Sequence, residues 1–191
     1  MNRKLLKPLK YLLIMVMLTG LIYPLFITGV SQIIFPFRSN GSLLKKNGKI
    51  IGSELIGQKF DSSIYFWSRP SSTDYNPVPS GASNYGPTSE KLKQIVMQRK
   101  IEFCEKNGIS DSTIVPLEML FASGSGLDPH ISPESAKIQA ERVARVRNFN
   151  PGQRKKLMEC IDNLTEHRGI SIFGEKRVNV LLLNIETDSI K

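Results

Sequence analysis

Ser125, Asp128 and His130 place the three side-chain types of a hydrolytic triad within six residues. A working triad usually draws its nucleophile, base and orienting acid from separate elements that converge on one point. Six adjacent residues are poorly placed to do this. No serine in Ala122-Ser123-Gly124-Ser125-Gly126 has glycine at both −2 and +2, so the stretch is not a nucleophile elbow. Gly52 and Gly57 have the spacing of a phosphate loop, but Gln58 stands where that loop needs lysine. His130 and His167 are the only histidines, and they share no metal-ligand spacing with each other or with Cys104 and Cys160. No catalytic and no metal-ligating set is expected.

Two segments keep chemical meaning. In Ser123-Gly124-Ser125-Gly126-Leu127-Asp128-Pro129, two glycines permit positive φ. Successive N–H groups could then point one way and form an anion-binding nest. The competing reading is a tight connection whose hydroxyls and carboxylate satisfy its own backbone. Arg69-Pro70-Ser71 presents a forked cation on a rigid turn. It either grips a partner carboxylate or pins the surrounding loop.

These segments hang from a chain with a distinctive beginning. Tyr11 to Phe37 is a run of 27 residues without a charge. As a helix it reaches roughly 40 Å, more than the ~30 Å of bilayer hydrocarbon. A cleaved signal peptide would have a shorter apolar core and a small-x-small site. No such triplet follows Gly20, and apolar residues continue to Phe35, so an uncleaved anchor is expected. Pro24 predicts a kink whose freed carbonyl is satisfied by neighbouring helices or waters. Gly20, Thr28 and Gly29 allow close helix approach, and Tyr23 and Gln32 add hydrogen-bonding groups. With Pro24, these are the candidate contacts to partner helices.

The expected organisation is a basic tail (1–10), a transmembrane helix (11–37), a juxtamembrane linker (38–50) and one soluble domain (51–191). Arg3, Lys4, Lys7 and Lys10 precede the span, and Arg38, Lys45, Lys46 and Lys49 follow it. Four against four does not decide orientation by positive charge. The first group is denser, which favours a cytoplasmic N-terminus and an extracytoplasmic domain at the cell membrane. The net charge is +9, of which the tail supplies +4. The remaining basic residues are scattered, and the densest run, Arg154-Lys155-Lys156, reads as a solvated helix face rather than a nucleic-acid patch. Cys104 and Cys160 either pair in an oxidising compartment or are two buried thiols.

In the soluble part, Asn47-Gly48 signals a hairpin turn. Residues 61–89, dense in Ser, Pro, Asn, Gly and Tyr, exclude regular helix and central strand. Thr88 is a candidate cap for a helix ending near Lys106 and stopped by Gly108. Val115 to Ala122 is a short helical candidate. Ser132 with Pro133, and Asn150-Pro151 with Gln153, are start signals for two more helices. Val178 to Ile185 reads as a buried strand. The fold class is α+β: one N-terminal transmembrane helix, then one extracytoplasmic α+β domain with a small sheet.

In this order the pieces resemble the C subunit family of the bacterial Kdp potassium-transporting ATPase. In the anchor the likeness rests on Leu18-Thr19-Gly20, Tyr23-Pro24-Leu25, Thr28-Gly29, Gln32, Phe35-Pro36 and Asn40-Gly41-Ser42-Leu43. In the domain it rests on Leu55-Ile56-Gly57-Gln58, Arg69-Pro70-Ser71, Ser83-Asn84 with Gly86-Pro87, and above all ASGSGLDPHISP from Ala122 to Pro133. Gln139, Arg142-Val143-Ala144 and Val178-Asn179-Val180 with Leu183-Asn184 follow. Ala82, Tyr85 and Glu118 depart from the family pattern. The resemblance implies a non-catalytic accessory subunit of an ATP-driven potassium uptake complex, which aids assembly and raises the pump subunit's affinity for ATP. It implies two partners, a channel-like potassium-binding subunit and an ATP-hydrolysing P-type subunit. ATP is implied through the partner, with no cofactor on this chain. Arg69, Pro70, Ser83, Asn84, Gly86, Ser123, Gly124, Ser125, Gly126, Asp128 and His130 are the candidate partner-contact or structural residues. A solitary anchored extracellular binding domain and an anchored hydrolase are the alternatives.

Overall fold

The computed structural model describes residues 3–166 and 174–190. The chain divides into two compact units, Met1–Ile50 and Ile51–Lys191.

The first unit is dominated by helix. α1 (Arg3–Met17) runs through a π-helical turn, Leu18–Ile22, into α2 (Tyr23–Ile34). Leu6–Ile34 is long and apolar enough to cross a membrane. The wide turn lies directly before Pro24, which lacks an N–H and crowds the carbonyl four residues back. Tyr23 N–H donates instead to Leu18 O, five residues back. The strain expected at Pro24 is therefore taken up within the helix itself. Phe35 leaves helical geometry (φ −130°, ψ 59°) because the residue before a proline avoids it. A single turn, α3 (Pro36–Ser39), follows. β1 (Leu43–Lys46) and β2 (Lys49–Ser53) then pair as a hairpin. Its turn residues Asn47 and Gly48 both take positive φ, as the Asn-Gly pair predicts.

The second unit packs helices against a three-stranded antiparallel sheet. α4 (Glu90–Asn107) is capped by Ser89, one residue after the expected Thr88, and stops at Gly108 with φ 68°. α5 (Pro133–Val146) starts at the predicted Ser132 cap, and α6 (Pro151–Asn163) carries the full Asn150–Gln153 capping box. β3 (His130–Ile131), β4 (Thr165–Glu166) and β5 (Arg177–Asn179) form the sheet in the order β3-β5-β4. Ala136, Ala140 and Ala144 keep the inner face of α5 small, so α4 and α6 pack closely on it. Phe66, Phe103, Cys104, Leu157, Ile161 and Leu183 fill the space between. Cys104 is buried, Cys160 is half-buried, and both thiols are free.

Two expectations are corrected. The apolar run from Val178 is a strand only to Asn179, and Val180–Ser189 is a helix, α7. A short apolar run does not distinguish a buried strand from a buried helix. Here the Asn179 side chain accepts the Leu182 N–H and starts helix where the strand would have continued. Val115 to Ala122 contributes only one 3₁₀ turn, Leu117–Met119. Residues 61–89 hold neither helix nor strand, as expected.

Candidate functional site

The segment from Ala122 to Pro133 joins three separate parts of the domain. Ser123 N–H donates to Pro70 O (3.1 Å), Gly57 N–H donates to Leu127 O (2.7 Å), and Val180 N–H donates to Pro129 O (3.0 Å). His130 and Ile131 then pair with Asn179 and Val178 in the sheet. A partly buried connection of this kind needs partners for its covered backbone groups, and it finds several of them across the fold.

Arg69 and Asp128 make the central side-chain contact. Arg69 Nη1 lies 2.7 Å from Asp128 Oδ2, and both side chains are about three-quarters covered. The other carboxylate oxygen, Oδ1, accepts the His130 N–H (3.0 Å), and the His130 Nδ1 stands 3.6 Å from it. Burial alone would raise the Asp128 pKa. His130 and Arg69 outweigh it and hold the carboxyl at about 2. Of the two sequence readings for Arg69-Pro70-Ser71, the structure has the arginine tying its own loop to this segment. Tyr75 O–H bonds to Arg69 O, and burial pushes that phenol up to about 12. Ser71 Oγ accepts the N–H groups of Thr73 (3.2 Å) and Tyr75 (2.9 Å).

The glycines divide by role. A Cβ on Gly57 would stand 2.5 Å from Asp128 O. Gly126 takes φ +72°, and a Cβ there would stand 2.7 Å from Thr73 Oγ1. Gly124 is exposed with open space around it. Two N–H groups of the loop are used internally: Gly126 N–H meets Ser123 O (3.3 Å) and Leu127 N–H meets Ser125 Oγ (3.1 Å). The loop thus satisfies part of its own backbone. Ser125 Oγ faces a neighbouring amide and not His130, so Ser125, Asp128 and His130 do not assemble a triad. His167 lies outside the described residues.

Ser83 and Asn84 sit elsewhere, with Ser71, Ala122 and Tyr85, on a crevice of about 770 Å³. Gly86 accepts the Ser89 N–H just before α4 (3.0 Å). In the first unit, Gly20, Tyr23, Pro24, Thr28 and Gln32 are exposed, Gly29 is half-exposed, and Thr28 Oγ1 donates to Pro24 O (2.8 Å).

A second set of residues proved to anchor the loop that carries Arg69, and only its members, not their task, stood out in the sequence. Gln139 Oε1 accepts the Trp67 N–H (2.7 Å) while its Nε2 donates to Trp67 O (3.3 Å). Asn184 does the same for Phe66, at 2.8 and 3.0 Å. Two amide side chains thus replace neighbouring strands for residues 66 and 67. Arg142, 1% exposed, donates to Asn107 Oδ1 (3.0 Å), Gln139 Oε1 (3.0 Å) and Ser63 O, and stacks 4.0 Å from the Trp67 ring. Burial, then Arg145, lowers its pKa to about 10. Glu118 accepts the Ser132 N–H (2.7 Å) and Ser135 O–H (2.6 Å). Burial opposes its charge, but these bonds leave its pKa below the ordinary carboxylate range. No local periodicity reveals such pairs, since their partners lie 72 and 118 residues away in the chain.

Among the described residues, no cluster of three or more His, Cys, Asp or Glu could hold a metal ion. Most polar side chains of this region bond within the fold, while Arg69 Nε is buried without a hydrogen-bond partner.

A profile of the family described as K+-transporting ATPase, c chain, matches residues 5–189. The chain is 49% identical over 181 residues to the potassium-transporting ATPase KdpC subunit of Leptospira interrogans, covering 95% of this chain and 91% of that protein. It is 44% identical over 190 residues to the subunit of the same name from Mycobacterium bovis (98% and 99% covered). To that of Caldanaerobacter subterraneus it is 40% identical over 185 residues (97% and 94%).

Proposed function

We infer the rest from one fact: this chain belongs to the KdpC family, the c chains of K+-transporting ATPases, and is an accessory subunit of a potassium pump. Its N-terminal helix fits a membrane-anchored subunit of a transport complex. The chain joins a channel-like potassium-binding subunit and an ATP-hydrolysing P-type subunit, and hydrolysis takes place on the latter. The N-terminus is cytoplasmic and residues 51–191 lie outside.

From that side the domain does not touch cytoplasmic ATP. It stabilises the assembly and acts as a catalytic chaperone: it favours one conformation of the complex, and by linkage raises the pump subunit's ATP affinity. The observation that carries this reading is the family match along 5–189, joined to a segment, 122–133, whose backbone and Asp128 carboxylate tie separate parts of the domain together. Gly20, Pro24, Thr28 and Gln32 recur at four-residue spacing, and with Tyr23 and Gly29 they provide close contact to partner helices. Arg69, Pro70, Ser83, Asn84, Gly86 and residues 123–130 shape the surface that meets partners.

Orientation is the experimental hinge. Protease added to intact cells is expected to cut the domain, and added to sealed inverted vesicles to spare it. Cutting only in the inverted vesicles would refute the indirect route and leave direct nucleotide contact in its place.

A further inference from the structure

The net positive charge of this chain comes almost entirely from its first fifty residues. Residues 1–50 contain eight lysines and arginines and no acid, and the first acidic residue is Glu54. The unit Met1–Ile50 therefore carries eight of the nine net positive charges. Four of the eight precede the membrane helix. The other four, Arg38, Lys45, Lys46 and Lys49, follow it, and orientation by charge does not account for them, because it works through an excess on one side.

The backbone keeps this second group beside the end of the helix. Gly41 N–H donates to Arg38 O (3.1 Å), Asn40 Nδ2 to Pro36 O (2.7 Å), and Ser42 N–H to Phe37 O (3.0 Å). β1 thus begins one hydrogen bond away from Phe37, the last residue of the uncharged run. Strands of four and five residues reach only about 14–17 Å. The lysines lie one to two Debye lengths (about 8–16 Å) from the apolar boundary at physiological salt, where attraction to an anionic surface is weakened by screening and is strongest at low salt. Lys45 and Lys49 are exposed, and so are Leu43 and Ile50 beside them. Basic heads next to exposed aliphatic side chains suit the border between headgroups and acyl chains.

We propose that the β1–β2 hairpin is a binding surface for the headgroups of anionic phospholipids, with Lys45 and Lys49 as its principal cations and Arg38 at its base. Charge complementarity and the hydrogen-bonded link to Phe37 select this occupant. The inference rests on reading Leu6–Ile34 as a span. Close to an anionic surface each lysine contributes at most about fivefold to lipid binding.

The test uses the full chain in vesicles of phosphatidylcholine with increasing phosphatidylglycerol. The chain is extracted gently and the lipid it retains is quantified. The native chain is expected to enrich phosphatidylglycerol. Lys45→Gln with Lys49→Gln is expected to lower that preference by up to about 25-fold, and Lys45→Arg with Lys49→Arg to preserve it. A change below twofold in the glutamine variant would overturn the proposal. So would unchanged lipid enrichment accompanied by loss of a pump subunit from the assembled complex, which would assign the hairpin to an acidic protein face. If alkaline carbonate strips the native chain from the vesicles, the span itself fails and the proposal falls with it.

Discussion

Gly57→Ala probes the junction between residues 55–58 and the 122–133 segment. The new Cβ would stand 2.5 Å from Asp128 O and 2.9 Å from Asp128 C, both backbone atoms. Neither side has room to yield. Gly57 is buried and bonded to Leu127 O at 2.7 Å, while Asp128 is tied to Arg69 and its neighbour Pro129 to Val180. Forcing a methyl group into packed structure costs about 1–3 kcal/mol. Separating Gly57 N–H from Leu127 O removes a further 0.5–1.5 kcal/mol, roughly. The expected loss is about 2–4 kcal/mol, or roughly 6–15 °C in the melting temperature of a domain of this size. Urea or thermal unfolding of the full chain in detergent, followed by near-ultraviolet dichroism, reads the loss directly. Gly124→Ala is the control: its Cβ meets nothing within 4 Å, and the shift is expected to stay within about 0.5 kcal/mol. Equal stability of the two variants would refute the close-approach argument and with it the role of 122–133 as the domain's clamp.

Other expectations concern the same region. Asp128 is held at about 2 in the folded chain against an ordinary 3.8, so its stabilisation is present above about pH 4 and is lost as pH falls toward 2. Partial exposure limits it to about 1–2 kcal/mol, so the stability gap between the native chain and Asp128→Asn should close over that window in acid titrations of unfolding. A gap that stays constant from pH 6 to 2 would contradict the assignment. Asn184→Leu leaves Phe66 N–H and C=O buried without partners, at a cost of roughly 2–5 kcal/mol. Faster chymotryptic cleavage after Phe66 or Trp67 would report the freed loop, and native cleavage rates would count against the amide clamp. Ser125→Ala is expected to leave potassium uptake intact, because the hydroxyl only accepts the Leu127 N–H. Abolished uptake with a normally assembled complex would revive the hydrolase reading.

Local chemistry made several elements legible before any coordinates. Ser132, Asn150 with Gln153, and Gly108 each announce a helix end through a bond made within four residues. Asn47-Gly48 announces its turn through the positive φ that both residues tolerate. What sequence did not convey depends on distant partners or on competition between near-equal states. The run from Val178 has an apolar pattern that fits strand or helix, and a single capping bond from Asn179 decides it. The long turn-rich stretch at 61–89 had no visible source of backbone partners. Gln139 and Asn184 supply them from α5 and α7, and nothing in their own neighbourhoods marks them for this. Arg69 was legible as a gripping cation, but its carboxylate, 59 residues away, was not.

The most direct test of the account measures the apparent ATP affinity of the purified pump in three forms: with the intact chain, with residues 51–191 deleted but the anchor kept, and without the chain. The account predicts weaker ATP binding once the domain is gone, and no ATP binding by the purified chain on its own. Unchanged affinity in the anchor-only complex, or ATP bound by the isolated chain, would contradict it.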